Sequence, residues 1–312
     1  MKRVVLLVIA ALLLSGFTAC GSSTPQKAPE PLTLGVLPDV DSVPLVIARE
    51  KGYFEKEGVQ VNIESFKSAP DRESALQSGK LDGAVSDMLA AAFSREGGFE
   101  VIITSMTNGS YKLLVGKDSG IKSFPDVKGK SVAISQNTII EYATDAMLEK
   151  NGMTPEDINK VVVPQIPVRL EMLQNGKIDG ATLPEPMATA AIAGGAKLLD
   201  STDKMGISPG VLLFTKKACE AKAKEIQAFY RAYNLAADYL GKEPVDSYLD
   251  GVIKELGFPD SVKGAIALPA YTRAVLPPEE DFNRVTGWLT GKELIKKSYK
   301  FGDVADGRFL KE

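Results

Sequence analysis

The sequence predicts an α/β fold in two lobes, on three observations. From Leu32 onward short apolar segments alternate with helical patterns, the signature of strands and helices taken in turn. One ten-residue stretch nearly repeats: LQSGKLDGAV at residues 76–85 returns as LQNGKIDGAT at residues 173–182. At 312 residues, the chain is long enough for two lobes of ordinary domain size.

Composition narrows the function. A content of 44% hydrophobic and 25% charged residues is that of a globular chain. The formal net charge of −3, with no basic run, argues against nucleic acid as a partner. There is no histidine, which removes Ser-His-Asp and Cys-His catalysis, most zinc sites and the usual near-neutral proton shuttle. The acidic residues do not fall into a calcium-loop spacing. The expectation is therefore a protein that is not an enzyme and carries no cofactor and no metal.

Taken in order, the chain opens with Lys2 and Arg3 before an apolar run at residues 4–14. That run is too short to span a bilayer, which needs about 20 residues, and residues 1–19 read as a signal peptide. The LSGFTAC stretch ending at Cys20 resembles the lipobox of bacterial lipoproteins, although Phe17 departs from the usual leucine. The resemblance implies that Cys20 is acylated and holds the protein on the outer face of the cytoplasmic membrane, or in the periplasm. Residues 20–31, rich in Gly, Ser and Pro, read as a flexible tether. The other cysteine, Cys219, reads as a small buried residue with no disulfide partner.

Residues 32–38 read as a first strand and its loop, and residues 43–58 as a helix stopped by Gly52. VQVNIESF then reads as a strand. A helix over residues 71–78 stops at Gly79, a residue that tolerates the left-handed conformation. Residues 80–82 turn and GAVS enters as a buried strand. The doubled stretch thus encodes helix, glycine stop, charged turn and buried strand. After the first copy comes SDMLAAAF, and after the second LPEPMATAA. Each puts a short turn before a helix N-terminus, at the end of the sheet where α/β proteins bind ligands. Residues 111–138 read as a crossing between lobes and residues 210–222 as the return. The first lobe is then residues 32–116 and 215–312, the second residues 117–214. Near the end, Ile226, Phe229, Tyr233, Ala236 and Leu240 follow helical spacing and mark a buried face. Trp288, the only tryptophan, reads as lobe packing.

Four segments, in this order, resemble a known family: KGYFEKEGVQV, ALQSGKLDGAVSD, SGIKSFPDVKGKSVAIS and LQNGKIDGATLPEP. They are similar to type II periplasmic substrate-binding proteins, in the branch that binds sulfonates, taurine, nitrate and thiamine-pyrimidine precursors. The resemblance covers the mature chain. It implies a two-lobed type II periplasmic-binding-protein fold that closes at a hinge over one small molecule. It also implies an ABC permease as the partner that receives the solute. Ligand contacts made only in the closed state would shift the open–closed equilibrium. Relatives that make the thiamine pyrimidine consume their own histidine, which is absent here. A receptor subunit signalling to a membrane partner is the alternative, and an enzyme on the same fold comes after it.

The expected ligand contacts follow the strand ends. They are Asp39 and Ser42 after the first strand, with Asp41 divided between contact and helix cap. Ser86 and Asp87 follow the first repeated unit, and Asn108 and Ser110 lie in TNGSY. In the second lobe they are Ser135, Gln136, Asn137 and Thr138, which resemble the family's polar loop. Glu185 matches its Glu-Pro step. Glu141 divides between ligand and solvent, and Arg169, the one plausible cationic contact, reads rather as a solvated first-turn arginine. With Asp39, Asp87 and Glu185 in one cleft, a neutral or cationic organic solute is favoured, with sulfonate or nitrate as the alternative.

Overall fold

The computed structural model describes residues 30–311. The signal peptide, Cys20 and all of the tether except Glu30 and Pro31 lie outside the described residues. No helix among the described residues is long and apolar enough to cross a membrane.

Strand β1 (Leu32–Val36) leads into helix α1 (Val43–Glu50). Gly52, in the left-handed region at φ 67°, starts the short α2 (Tyr53–Lys56). Then come β2 (Val61–Ser65), α3 (Ala69–Gln77), β3 (Gly83–Asp87), α4 (Met88–Glu96) and β4 (Val101–Met106). The second lobe holds β5 (Tyr111–Val115), β6 (Ser131–Ile134), α5 (Ile139–Lys150), β7 (Asn159–Val162) and α6 (Ile166–Gln174). It ends with β8 (Gly180–Pro184), α7 (Met187–Ala193) and β9 (Lys197–Ser201). The chain returns through β10 (Gly210–Thr215) to α8 (Lys216–Ala221), α9 (Ala223–Leu240), α10 (Leu249–Leu256), α11 (Glu279–Gly291) and α12 (Phe301–Val304).

Two five-stranded sheets result, ordered β2-β1-β3-β10-β4 and β7-β6-β8-β5-β9. They share one plan: three parallel strands, then an antiparallel strand, then an edge strand. The expected lobe borders after residues 116 and 214 each fall one strand late, because β5 already belongs to the second sheet and β10 to the first. Both are mostly apolar runs, and such a run carries no local mark of which sheet it joins.

The doubled stretch has a physical reason in each sheet. Helices α3 and α6 are followed by Gly79 and Gly176, at φ 77° and 64°. Asp82 Oδ2 accepts the Thr33 N–H at 2.9 Å while the Asp82 N–H donates to the Thr33 carbonyl at 2.8 Å. Asp179 repeats this on Ser131, at 2.9 Å and 3.1 Å. The aspartate clamps the start of the neighbouring parallel strand, β1 or β6. The glycine after it lets the antiparallel strand come close. A Cβ at Gly83 would stand 2.6 Å from the Leu213 carbonyl oxygen, and one at Gly180 3.0 Å from that of Leu114.

The C-terminal helices close the outer faces. On α9, Ile226, Phe229, Tyr233 and Ala236 are buried, and Phe229 stacks on Phe54 of α2 at 5.7 Å. Cys219 is buried and its thiol is pushed up to about 12 by that burial. Helix α11 carries Trp288 to the second lobe, where it meets Tyr142 edge-on at 5.6 Å. Its indole N–H donates to Asp145, and Lys292 pairs with Glu141 and Asp145 of α5 at 2.8 and 3.0 Å.

Candidate functional site: the cleft between the lobes

Strand ends from both sheets meet around a narrow cavity. On the first lobe, the turn after β1 places Asp39 and Asp41 in its wall, both buried. Asp39 Oδ1 accepts the Ser42 hydroxyl at 2.9 Å. Burial pushes the Asp39 carboxyl up to about 8, and the charge of Asp41 adds to the shift, while Ser42 and Arg72 oppose it. Asp41 is raised as well, chiefly by burial. The Tyr111 hydroxyl donates to its Oδ2 at 3.4 Å, and the Thr107 hydroxyl and Gly109 N–H beside it hold the rise back. Two segments that cross between the lobes press on this carboxylate. A Cβ at Gly109 would stand 1.8 Å from Asp41 Oδ2, and one at Gly210 3.5 Å from Oδ1.

Beyond β3, Asp87 both caps α4 and lines the cavity; its Oδ1 accepts the Ala90 N–H at 2.8 Å. Burial raises its carboxyl to about 6 against the pull of Arg72. Arg72, from α3, is buried in acidic company. It donates to the Val85 carbonyl at 2.6 Å, to Glu73 at 2.7 Å and to Ser86 at 3.0 Å.

The second lobe presents Ser135, Thr138 and Arg169. Thr138 caps α5 by accepting the Ile140 N–H at 3.2 Å. The Ser135 hydroxyl is buried without a partner. Arg169 is not solvated but wholly buried, because it starts a helix packed under β8. Its Nε donates to the Thr182 carbonyl at 2.9 Å and its Nη1 to that of Val163 at 2.7 Å. Nη2 has no partner, and burial alone lowers the guanidinium to about 9.

Arg72 and Arg169 are counterparts. The doubling reaches further back than the ten residues, as PDRESALQSGKLDG at residues 70–83 against PVRLEMLQNGKIDG at residues 167–180. Both arginines lie 13 positions before the strand carbonyl they hold, Val85 or Thr182. They differ in company. Where Arg72 has Glu73, Ser86 and Asp87, the matching positions around Arg169 hold Leu170, Leu183 and Pro184.

Of the expected contacts, Asp39, Ser86, Asp87, Ser135 and Thr138 line this cavity. Gln136 and Asn137 line an adjoining chamber that shares Arg72, Asp87 and Thr138 with it. Four others are engaged elsewhere, because their turns use them to fix the backbone. Ser42 holds Asp39 and the Leu37 carbonyl from behind. Asn108 bonds Thr272 through both ends of its amide, and Ser110 donates to Asp203 at 2.8 Å. The Glu185 carboxylate pairs with Lys112 and accepts the Thr189 N–H of α7 at 3.0 Å. Glu141 faces Lys160 and Lys292. Arg72 and Tyr111 line the cavity without having been singled out for it, and so do Asp41 and Arg169, each of which was read two ways. For the two arginines the longer repeat was the available signal.

Comparison with known proteins agrees with this architecture. An aliphatic sulfonates-binding protein of Bacillus subtilis is 28% identical over 260 residues, covering 80% of this chain and 76% of its own. The 4-amino-5-hydroxymethyl-2-methylpyrimidine phosphate synthase of Schizosaccharomyces pombe is 28% identical over 145 residues, 44% of this chain and 40% of its own. Among solved structures, the alkanesulfonate-binding protein of Xanthomonas axonopodis pv. citri bound to MOPS superposes with a TM-score of 0.76 at 18% identity. That match covers 89% of this chain and 98% of the other, and it shows the fold. The family model described as NMT1/THI5 like matches residues 39–247, a span that holds both arginines and every acid of the cleft, and the chain belongs to that family.

Proposed function

We propose that this chain is the extracytoplasmic solute-binding component of an ABC importer, anchored through Cys20, which closes over one small organic solute and hands it to a permease. The observation that carries this reading is the cavity walled by strand ends of both lobes, with the Arg169 guanidinium and the Ser135 hydroxyl left unpaired inside it. Such groups are costly to bury alone, and a bound solute would supply their partners. The aliphatic sulfonates-binding relative supports the transport role. The synthase relative matches less than half of the chain, and without histidine the cleft lacks the usual proton carrier for catalysis near neutral pH. The proposed solute contacts are Asp39, Asp41, Ser86, Asp87, Ser135, Thr138 and Arg169, with Gln136 and Asn137 in the outer chamber.

A thermal-shift screen of sulfonates, nitrate, pyrimidines, flavins, amino acids and polyamines tests the role. A solute at a hundred times its dissociation constant stabilises the folded chain by about 2.7 kcal/mol. Selective stabilisation by one class supports the reading. Turnover of any such compound by the chain alone would replace it with an enzymatic one.

A further inference from the structure

We propose that Asp41 is the positioning residue of the hinge: its carboxylate ties both segments that cross between the lobes to one fixed turn of the first lobe, and so narrows the range of angles the lobes sample. The inference goes beyond the solute-binding reading, and its test needs no solute.

Three observations carry it. The first is a pair of glycines. Gly109 lies in the first crossing, residues 107–110, and Gly210 directly follows the second, residues 202–209. Neither sits in the left-handed region, so neither needs to be glycine for the sake of its backbone. What each lacks is room. A Cβ at Gly109 would fall 1.8, 2.5 and 2.6 Å from the three carboxyl atoms of Asp41. One at Gly210 would fall 2.4 Å from the Thr107 hydroxyl and 3.5 Å from Asp41 Oδ1. Both crossings give up a side chain beside the same acid.

The second is the convergence of polar groups. The Thr107 hydroxyl, the Gly109 N–H and the Tyr111 hydroxyl all face the Asp41 carboxylate, the last at 3.4 Å. Tyr111 starts a strand of the second sheet, so the carboxylate reaches across the lobe border. The crossings are also bound to each other. The Thr107 N–H donates to the Gly210 carbonyl at 3.0 Å, the Tyr111 N–H to the Thr202 hydroxyl at 3.1 Å, and Ser110 to Asp203 at 2.8 Å. A group that grips the first crossing therefore grips the second.

The third is the mount. A buried carboxylate is costly unless hydrogen bonds meet it, and those that meet Asp41 come from residues 107–111. The turn that carries it is itself pinned. The Val40 N–H donates to the Glu185 carbonyl of the second lobe at 3.0 Å, and the Tyr271 hydroxyl donates to the Val40 carbonyl at 2.9 Å. Hinge bending is taken up by a few loop residues, and here a fixed turn holds the loops that would bend. Because Asp41 also lines the cavity, a solute that meets it meets the hinge.

The test reads the separation of the lobes in the solute-free full chain, by electron–electron double resonance between two spin labels. The labels sit on Ser74→Cys of α3 and Glu171→Cys of α6, exposed counterparts in the doubled unit. Cys20→Ser is included, and Cys219 is buried. Expected is one narrow distance in this parent and its loss, to a broad spread, in Asp41→Ala. Asp41→Asn keeps an acceptor in the same place and should stay narrow. Gly109→Ala should broaden the parent but add nothing on top of Asp41→Ala, where its methyl finds vacated space. Asp179→Ala, which weakens a strand clamp outside the crossings, should stay narrow, so lost stability alone does not produce the broadening. If Asp41→Ala fails to fold, Thr107→Val and Tyr111→Phe leave the carboxylate in place and should each broaden the distance in part. A parent that is already broad, a narrow Asp41→Ala, two narrow hydroxyl variants, or equal broadening in Asp179→Ala overturns the inference. A solute found in the thermal screen alongside any of these results leaves the binding role standing without the hinge role.

Discussion

Asp39 is the residue whose environment costs the fold most visibly. It faces Asp41 on its own turn, Arg72 from α3 and Ser42 from the start of α1, with Tyr111 of β5 and Tyr271 further out. In the folded chain it keeps its proton up to about pH 8, whereas in the unfolded chain an aspartate loses it near pH 4. Between those values the folded state binds more protons, so this group's contribution to stability falls as pH rises. The solute-free chain should therefore melt at a lower temperature at pH 8.5 than at pH 5, and Asp39→Asn should flatten that slope. An unchanged slope in the variant would show that Asp39 titrates normally. Asp41 invites a second substitution. Gly109→Ala places a methyl where the Asp41 carboxylate stands. Overpacking of this kind costs about 1–3 kcal/mol. Solute affinity should fall further than stability predicts, because the displaced group lines the cleft cavity. Denaturant unfolding and calorimetry on the same variant separate the two effects.

Among the elements, the clamp made by the repeated aspartate explains why the chain builds one short unit twice. Asp82→Ala and Asp179→Ala each strip a strand-start N–H of its acceptor, at a cost of about 1–3 kcal/mol. The Asp82 change should be the larger, since Lys222 pairs with Asp82 at 2.8 Å and also reaches the Pro31 carbonyl. Chemical denaturation that ranks them the other way would show that the lysine contributes little. This part of the fold was legible: helix, glycine stop and buried strand follow from local pattern, and capping positions such as Asp87 and Thr138 announce themselves by residue type. The site was legible only in outline. Strand ends pointed to the right loops, but a serine or asparagine in a tight turn reads the same whether it faces a cavity, as Ser135 does, or bonds a distant loop, as Asn108 does. The burial of Arg169 showed only through its match to Arg72 in the longer repeat, because an arginine in the first turn of a helix reads locally as solvated.

Across the whole molecule, the two lobes are held together away from the cavity by Lys292 and Trp288 of α11 against Glu141, Asp145 and Tyr142 of α5. Lys292→Met should favour the open form and weaken solute binding by about threefold, in the range of a partly exposed ion pair, without altering which solutes bind. The lone tryptophan sits at this seam, so its fluorescence should report closure. A variant with unchanged affinity and unchanged emission on solute addition would show that the seam plays no part. The placing of β10 has a consequence of another kind. The strands of the second sheet are contiguous in the chain, from residue 111 to 201, whereas the first sheet needs β10 inserted between β3 and β4. On a growing polypeptide, β3 and β4 stay as unpaired edges, prone to wrong pairing, until residue 215 is available. Protease digestion of a chain ended at residue 209 should spare the second sheet and cut the first: the half that is written first is the half that finishes last.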